Sequence, residues 1–310
     1  MKSAAPSTTL PVALVEALLT TIIWGSSFVV AKIGLRSLGP ITLAGLRYTL
    51  AFVLLLPLLL SRVRHSGWPP ASILRRLALL GIAAYLVGNG AFFIALQVVP
   101  STTVSFLMGL IPILILVGSL TWLKESPTPR QVLGLIISLL GTALFFVPGI
   151  DATVGHGLPI LGLGILGFGF FGLLGRSLAR DRKVDLLMLT TVPLGVGGAG
   201  LLIAGAFVEG PPHLTTEGAA VVAWLAVVNT AIAYLLYNHA LQRLTALQMN
   251  LVLNLSPFVT AALASLLLDE RLLPLQLAGM LIATIGVAQA QRTRRAEATA
   301  AETASPLPGR

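Results

Sequence analysis

Residues 95–141 read ALQVVPSTTVSFLMGLIPILILVGSLTWLKESPTPRQVLGLIISLLG, and residues 240–286 read ALQRLTALQMNLVLNLSPFVTAALASLLLDERLLPLQLAGMLIATIG. Laid over each other at an offset of 145 residues, they align Ala95-Leu96-Gln97 with Ala240-Leu241-Gln242 and Pro112 with Pro257. Further along they align Glu125 with Glu270, Pro129 with Pro274, Gln131 with Gln276, Gly134 with Gly279 and Gly141 with Gly286. An ordered set of proline, acid, proline, amide and two glycines at one offset marks an internal repeat.

Working outward, a bilayer core about 30 Å thick needs roughly 20 apolar residues per helix. Breaking the chain at charges, Pro-Gly clusters and polar runs gives ten stretches: 12–34, 40–61, 76–96, 101–123, 129–148, 157–177, 185–207, 217–241, 246–268 and 273–291. Links such as Leu35–Gly39 and Lys124–Thr128 suit antiparallel neighbours and leave no room for a soluble domain. The stretches lack the short alternation of a membrane barrel. Five spans per copy is an odd number, so the second copy enters from the opposite side. The expected fold is an all-α integral membrane protein of ten helices in two inverted five-helix repeats. Residues 1–150 form the first repeat and 151–291 the second, and 292–310 read as a disordered tail. Inverted repeats around a central site are the architecture of secondary transporters.

Composition agrees. Charged residues make up 10% of the 310, against roughly 25% in soluble domains. Hydrophobic residues make up 56%, and mean hydropathy is +0.93. Soluble, disordered and disulfide-stapled classes are excluded, and with no cysteine there is no thiol chemistry. The first apolar run continues through Trp24 to Val30 with no cleavage site, so it reads as a span and not a signal peptide. With the N-terminus inside, 16 of the 20 cations lie at cytoplasmic ends, leaving Lys32, Arg36, Arg47 and Arg271 outside. Both termini are therefore expected in the cytoplasm, in a multi-pass inner (plasma) membrane protein. The net charge of +9 is then an orientation signal and not a nucleic-acid surface.

Trp24-Gly25-Ser26-Ser27-Phe28 with Lys32 and Arg47, then Pro112, Leu123-Lys124-Glu125, Gln131, Gly134 and Gly141, resemble the first half of an EamA-type protein. Pro257, Asp269-Glu270, Gln276, Gly279 and Gly286 resemble the second half. The resemblance, over about residues 10–290, is to the drug/metabolite transporter superfamily and within it to the aromatic amino acid exporters. It implies ten helices in two inverted halves and export of amino acids or other metabolites. One departure is Gly169-Phe170-Phe171-Gly172, where the family carries a Trp-containing motif.

Polar groups within spans are expensive, so they face a cavity or one another. Glu16, about one turn deep in span 1, is a candidate proton or amine site or a snorkelling carboxylate. Lys32 and Arg47 either attract a substrate carboxylate or bond carbonyls between the halves. Asn250 and Asn254 are four apart beside Pro257, an expected kink that frees a carbonyl, and they read as an inward polar stripe that either contacts substrate or acts as helix–helix glue. Their repeat partners are Ser105, Gly109 and Pro112. Tyr85 and Asn89 in span 3, and Asn229 and Tyr234 in span 8, lie near mid-depth. With Trp24 they form an expected aromatic lining, and Ser27, Met108 and Phe171 complete the candidate substrate contacts. Pro112 and Pro257 are the expected hinges. Four scattered histidines lack metal-ligand spacing, so neither a metal nor another cofactor is expected. No nucleophile has a neighbouring base and no ATP-binding domain is evident, so the chain does not read as an enzyme or a primary pump.

The expected function is a secondary transporter exporting amino acids or related small metabolites by alternating access, with aromatic or hydrophobic amino acids foremost. The alternatives are an exchanger of nucleotide-sugar or phosphate type and a passive channel. Expected partners are a small-molecule substrate and membrane lipid, in a monomer or homodimer.

Overall fold

The computed structural model describes residues 9–98, 107–149, 157–181, 184–212, 214–268 and 273–303. Among them run ten helical spans and no strand: α1 (Leu10–Gly34), α2 (Pro40–Ser66), α3 (71–98), α4 (Ile111–Leu123) and α5 (Pro129–Phe146). The second five are α6 (Leu158–Ala179), α7 (Leu186–Val208), α8 (Thr216–Ala240), α9 (246–268) and α10 (Pro274–Thr303). Eight are long and apolar enough to cross a membrane, and the described part of α4 is a shorter apolar helix. Leu140, Leu166, Ile203 and Leu281 stand exposed on the outside, as a lipid-facing surface requires.

The repeat residues carry the same local duties in both copies. Gln131 accepts from the Thr128 N–H at 2.9 Å, and Gln276 from the Leu273 N–H at 2.9 Å, so each amide caps its helix start. Pro112 stands in the first turn of α4 after a turn in which the Ile113 N–H bonds the Leu110 carbonyl at 2.9 Å. In α9 the helix breaks after Leu253 and restarts at Ser256, where the Phe258 N–H bonds the Leu255 carbonyl at 3.1 Å. The expected kinks are thus breaks, with each proline in the turn that follows. There its missing N–H has no helical partner to lose.

The glycines bring equivalent helices together. A Cβ on Gly134 would lie 2.5 Å from the Gly286 carbonyl oxygen, and one on Gly286 would lie 2.6 Å from that of Gly134. Gly141 and Gly279 would meet each other's carbonyl oxygens at 2.7 Å in both directions. The 145-residue offset exchanges these two contacts, so α5 and α10 lie antiparallel across the pseudo-twofold axis of an inverted repeat. α2 and α7 pair in the same way: a Cβ on Gly45 would lie 2.8 Å from the Leu202 nitrogen, and one on Gly198 would lie 2.8 Å from the Thr49 nitrogen. Small residues permit such backbone contact, which takes the place of a hydrophobic driving force in lipid.

The first helix of each repeat packs into the other repeat. α1 lies on α8 and α9, where Thr260 donates to the Gly25 carbonyl at 2.8 Å and Thr21 to that of Val252 at 3.3 Å. α6 lies on α3 and α4 through Gly167 against the Ala83 carbonyl and Gly172 against Ile115. The packed bodies are therefore α1 with α8 and α9, and α6 with α3 and α4, rather than two self-contained sequence halves.

α3 and α8 each contain a π-helical segment, at 82–89 and 227–232, and the two begin 145 residues apart. The wider turn leaves backbone groups that lipid cannot satisfy, and side chains bond them. Asn89 donates to the Ala84 carbonyl at 2.7 Å and Thr230 to the Leu225 carbonyl at 2.8 Å, both five residues back. Beyond residue 291, α10 runs on as far as Thr303 through an Ala-, Arg- and Glu-rich stretch of good helix formers.

Candidate functional site

All four tyrosines of the chain meet between these bodies. Tyr48 lies 4.6 Å from Tyr85, Tyr85 lies 5.3 Å from Tyr234, and Tyr234 lies 6.4 Å from Tyr237, measured between ring centroids. Trp24 of α1 sits 5.0 Å from Tyr234 and 5.3 Å from Tyr237, and Phe171 of α6 stacks on Tyr237 at 5.2 Å. The Tyr85–Tyr234, Phe171–Tyr234 and Phe171–Tyr237 contacts span the two packed bodies. The tyrosines are buried, whereas Trp24 and Ser26 are half-buried. The other tryptophans, Trp68, Trp122 and Trp224, are exposed at the protein's outer surface.

A polar network adjoins the rings. Arg47 of α2 is 6% exposed and donates from Nε to Thr230 at 3.1 Å, from Nη1 to Ser27 at 3.2 Å and from Nη2 to the Asn229 carbonyl at 3.3 Å. Its guanidinium lies 4.8 Å above the Tyr48 ring, a cation–π contact. The Trp24 indole N–H donates to the same Asn229 carbonyl at 3.2 Å. The Asn229 amide donates from Nδ2 to the Ile23 carbonyl and to Ser26, while its Oδ1 is buried and has no hydrogen-bond partner. Tyr48 donates to Asn89 Oδ1 at 2.8 Å.

The expected stripe of Asn250 and Asn254 divides. The break after Leu253 turns the two amides to different neighbours. Asn250 donates to its own Ala246 carbonyl at 3.0 Å and lies against Gly172 of α6. Asn254 is buried against α5, donating to Thr142 at 3.2 Å and Ser138 at 3.5 Å, so it ties helices together. Met108 is half-buried at the edge of the core. Ser105 and the Lys32 side chain lie outside the described residues. Glu16 meets His239 of α8 with Oε1 to Nδ1 at 2.7 Å.

Two ties that sequence reasoning missed close the ends of the molecule. Glu125, in the α4–α5 link, pairs with Arg176 of α6 at 2.8 Å, and Arg176 donates onward to the Leu241 carbonyl in the α8–α9 link. At the opposite end Glu209 accepts from the Ile41 and Thr42 N–H groups at 2.9 and 2.8 Å, capping α2. Spacing could not have shown either, because each joins residues more than 50 positions apart.

The profile of the EamA-like transporter family matches residues 12–147 and again residues 156–290, one copy over each five-helix repeat. The chain belongs to the EamA-like transporter family. Members are transporters and not enzymes, so this EamA-like protein is a multi-pass membrane transporter of the drug/metabolite superfamily. It is 26% identical over 279 residues to the uncharacterized transporter YyaM of Bacillus subtilis, covering 86% of this chain and 89% of that one. It is 28% identical over 229 residues, 72% of each chain, to the uncharacterized inner membrane transporter YedA of Escherichia coli. An S-adenosylmethionine/S-adenosylhomocysteine transporter of Chlamydia trachomatis is 28% identical over 202 residues, covering 62% of this chain and 61% of that one. A crystal structure with 17% identity superposes with a TM-score of 0.75, covering 92% of this chain and 98% of the other, which shows the shared fold.

Proposed function

We propose that this EamA-like protein is a secondary transporter that exports amino acids or closely related metabolites, aromatic and hydrophobic ones foremost, by alternating access. The observation that carries this reading is the aromatic cluster placed where the two packed bodies meet. Six rings from α1, α2, α3, α6 and α8 surround the junction, and three of their contacts bridge the bodies. Such rings offer a face to a flat or apolar side chain. Ser27, Asn89, Asn229 and Asn250 supply polar contacts around them. Glu125–Arg176–Leu241 closes one end, and the backbone contacts of α2 with α7 and α5 with α10 hold the flanks while the middle moves. Both termini are assigned to the cytoplasm on the charge distribution, in an inner membrane like the one named for the Escherichia coli relative.

The relative named for S-adenosylmethionine supports a second substrate, because that molecule joins an amino acid to a flat base suited to the same rings. The test is transport of labelled phenylalanine, tryptophan and S-adenosylhomocysteine in proteoliposomes, run also as counterflow. Movement accelerated by substrate on the far side is expected. Flux without such acceleration identifies a channel, and no movement of any of the three refutes the reading.

A further inference from the structure

We infer that Arg47 and the Oδ1 atom of Asn229 form a head-group clamp for an α-amino acid, Arg47 taking the carboxylate and Asn229 the ammonium. This rests on the proposed transport function and specifies the part of the substrate that the site recognises.

Arginine stays charged in proteins, and a cation held inside a membrane protein without a counter-charge is costly. Arg47 is 6% exposed, and no carboxylate among the described residues forms an ion pair with it. Its partners Thr230, Ser27 and the Asn229 carbonyl are neutral: they solvate the charge and leave it uncompensated. Three of the five guanidinium N–H groups are used in this way, leaving one on each terminal nitrogen for the two oxygens of an incoming anion.

Asn229 supplies the opposite need. Its amide orientation is decided by the Ile23 carbonyl, which only accepts, so the group facing it is Nδ2 and the flipped form is excluded. Oδ1 is thereby an acceptor without a donor in a residue of zero exposure. Buried amide oxygens are nearly always bonded, and one left open in the residue whose backbone carbonyl accepts from Arg47 suits a ligand that carries both charges. The Asn229 carbonyl also holds the Trp24 indole, so one residue links the head-group donors to the aromatic cluster. An amino acid seated here has its carboxylate at Arg47, its ammonium at Asn229 and its side chain among Trp24, Tyr234 and Phe171. S-Adenosylhomocysteine carries the same head group, so the clamp serves either substrate.

The experiment uses the full chain in proteoliposomes with labelled phenylalanine, or S-adenosylhomocysteine if that is the probe that moves. The competitors are phenethylamine, which lacks the carboxylate, and 3-phenylpropionate, which lacks the ammonium. Each competes at least about 100-fold more weakly than phenylalanine in the wild type, as expected where a buried charged partner goes unmatched. Arg47→Gln loses about the same factor for phenylalanine while leaving phenethylamine unchanged, and Arg47→Lys recovers part of the loss. Asn229→Asp gives Arg47 a counter-ion, so it weakens phenylalanine and strengthens phenethylamine. If both analogues match phenylalanine in the wild type, the clamp is overturned, whether or not any variant folds. If Arg47→Gln keeps the wild-type ranking, the clamp is overturned while amino acid transport stands. If no probe bearing the head group moves in the wild type, the transport reading fails and the clamp falls with it.

Discussion

Replacing Arg176 by glutamine opens one end of the molecule. The Arg176 and Glu125 side chains are 7% and 12% exposed and 2.8 Å apart, and Arg176 carries the bond to Leu241 that joins the two packed bodies. Removing one partner of a buried ion pair costs about 3–5 kcal/mol, because the remaining charge is left unpaired. Glu125 keeps Arg180 at 3.4 Å, but that side chain is 49% exposed and its attraction is screened, so the lower figure applies. An open arrangement hydrates both groups and escapes the loss. About 3 kcal/mol displaces the balance between closed and open forms by roughly 100-fold. The chain has no cysteine, so Leu241→Cys, fully buried in the closed form, gives a single reporter for a water-soluble maleimide. Arg176→Gln and Glu125→Gln should each raise its labelling rate by about 100-fold, less any limit set by the reagent. The double substitution should raise it less than either single one, because two neutral amides leave no bare charge. Singles that label at the wild-type rate in folded protein would refute the latch. So would effects that simply add in the double variant.

The helix contacts make further predictions. Gly141→Val drives side-chain atoms into the Gly279 carbonyl, 2.7 Å from where a Cβ would sit, so it should lower the detergent melting temperature sharply. The strain is about 1–3 kcal/mol or more. Gly162→Ala, with nothing within 4 Å, should be neutral or slightly stabilising; equal losses in the two variants would contradict the packing account. Asn254→Leu should destabilise by about 1–3 kcal/mol, because it strands Thr142 and Ser138, yet leave KM unchanged in the folded fraction. A raised KM would return Asn254 to the substrate site. Glu16→Gln and His239→Gln should each flatten the response of transport to a pH gradient, since each removes half of a pair 2.7 Å apart between α1 and α8. Profiles that superimpose on the wild type would exclude the pair as a proton site.

The candidate site was legible only as a set of depths. Trp24, Tyr85 and Tyr234 could be placed near mid-membrane by counting residues along spans, and the structure brings their rings together. Tyr48 and Tyr237 belong with them, but helical spacing within one span says nothing about which span it faces. For a related reason the spacing of Asn250 and Asn254 could not decide between substrate contact and helix–helix glue. The four-residue spacing assumes an unbroken helix, and α9 breaks beside Asn254. His239 was read as scattered because its partner Glu16 is 223 residues away.

What the sequence determined by itself was the membrane class, the ten spans and the inverted repeat. Those follow from one-dimensional physics: the length of apolar run that a bilayer demands, the parity of five spans, and residues recurring at a fixed offset. Even the duties of Gln131, Pro112 and Gly134 are local enough to recur 145 residues later. Only the tertiary structure decided which helices share a body, with α1 crossing to α8 and α9 and α6 to α3 and α4. It also decided that Arg47 lies buried with no carboxylate ion pair among the described residues, bonded to the backbone carbonyl of Asn229, whose side-chain oxygen is unpaired. In lipid every helix is apolar on most faces, so hydrophobic pattern does not select a partner. Partner choice rests on close contacts and single hydrogen bonds between distant residues, which exist only once the chain has folded.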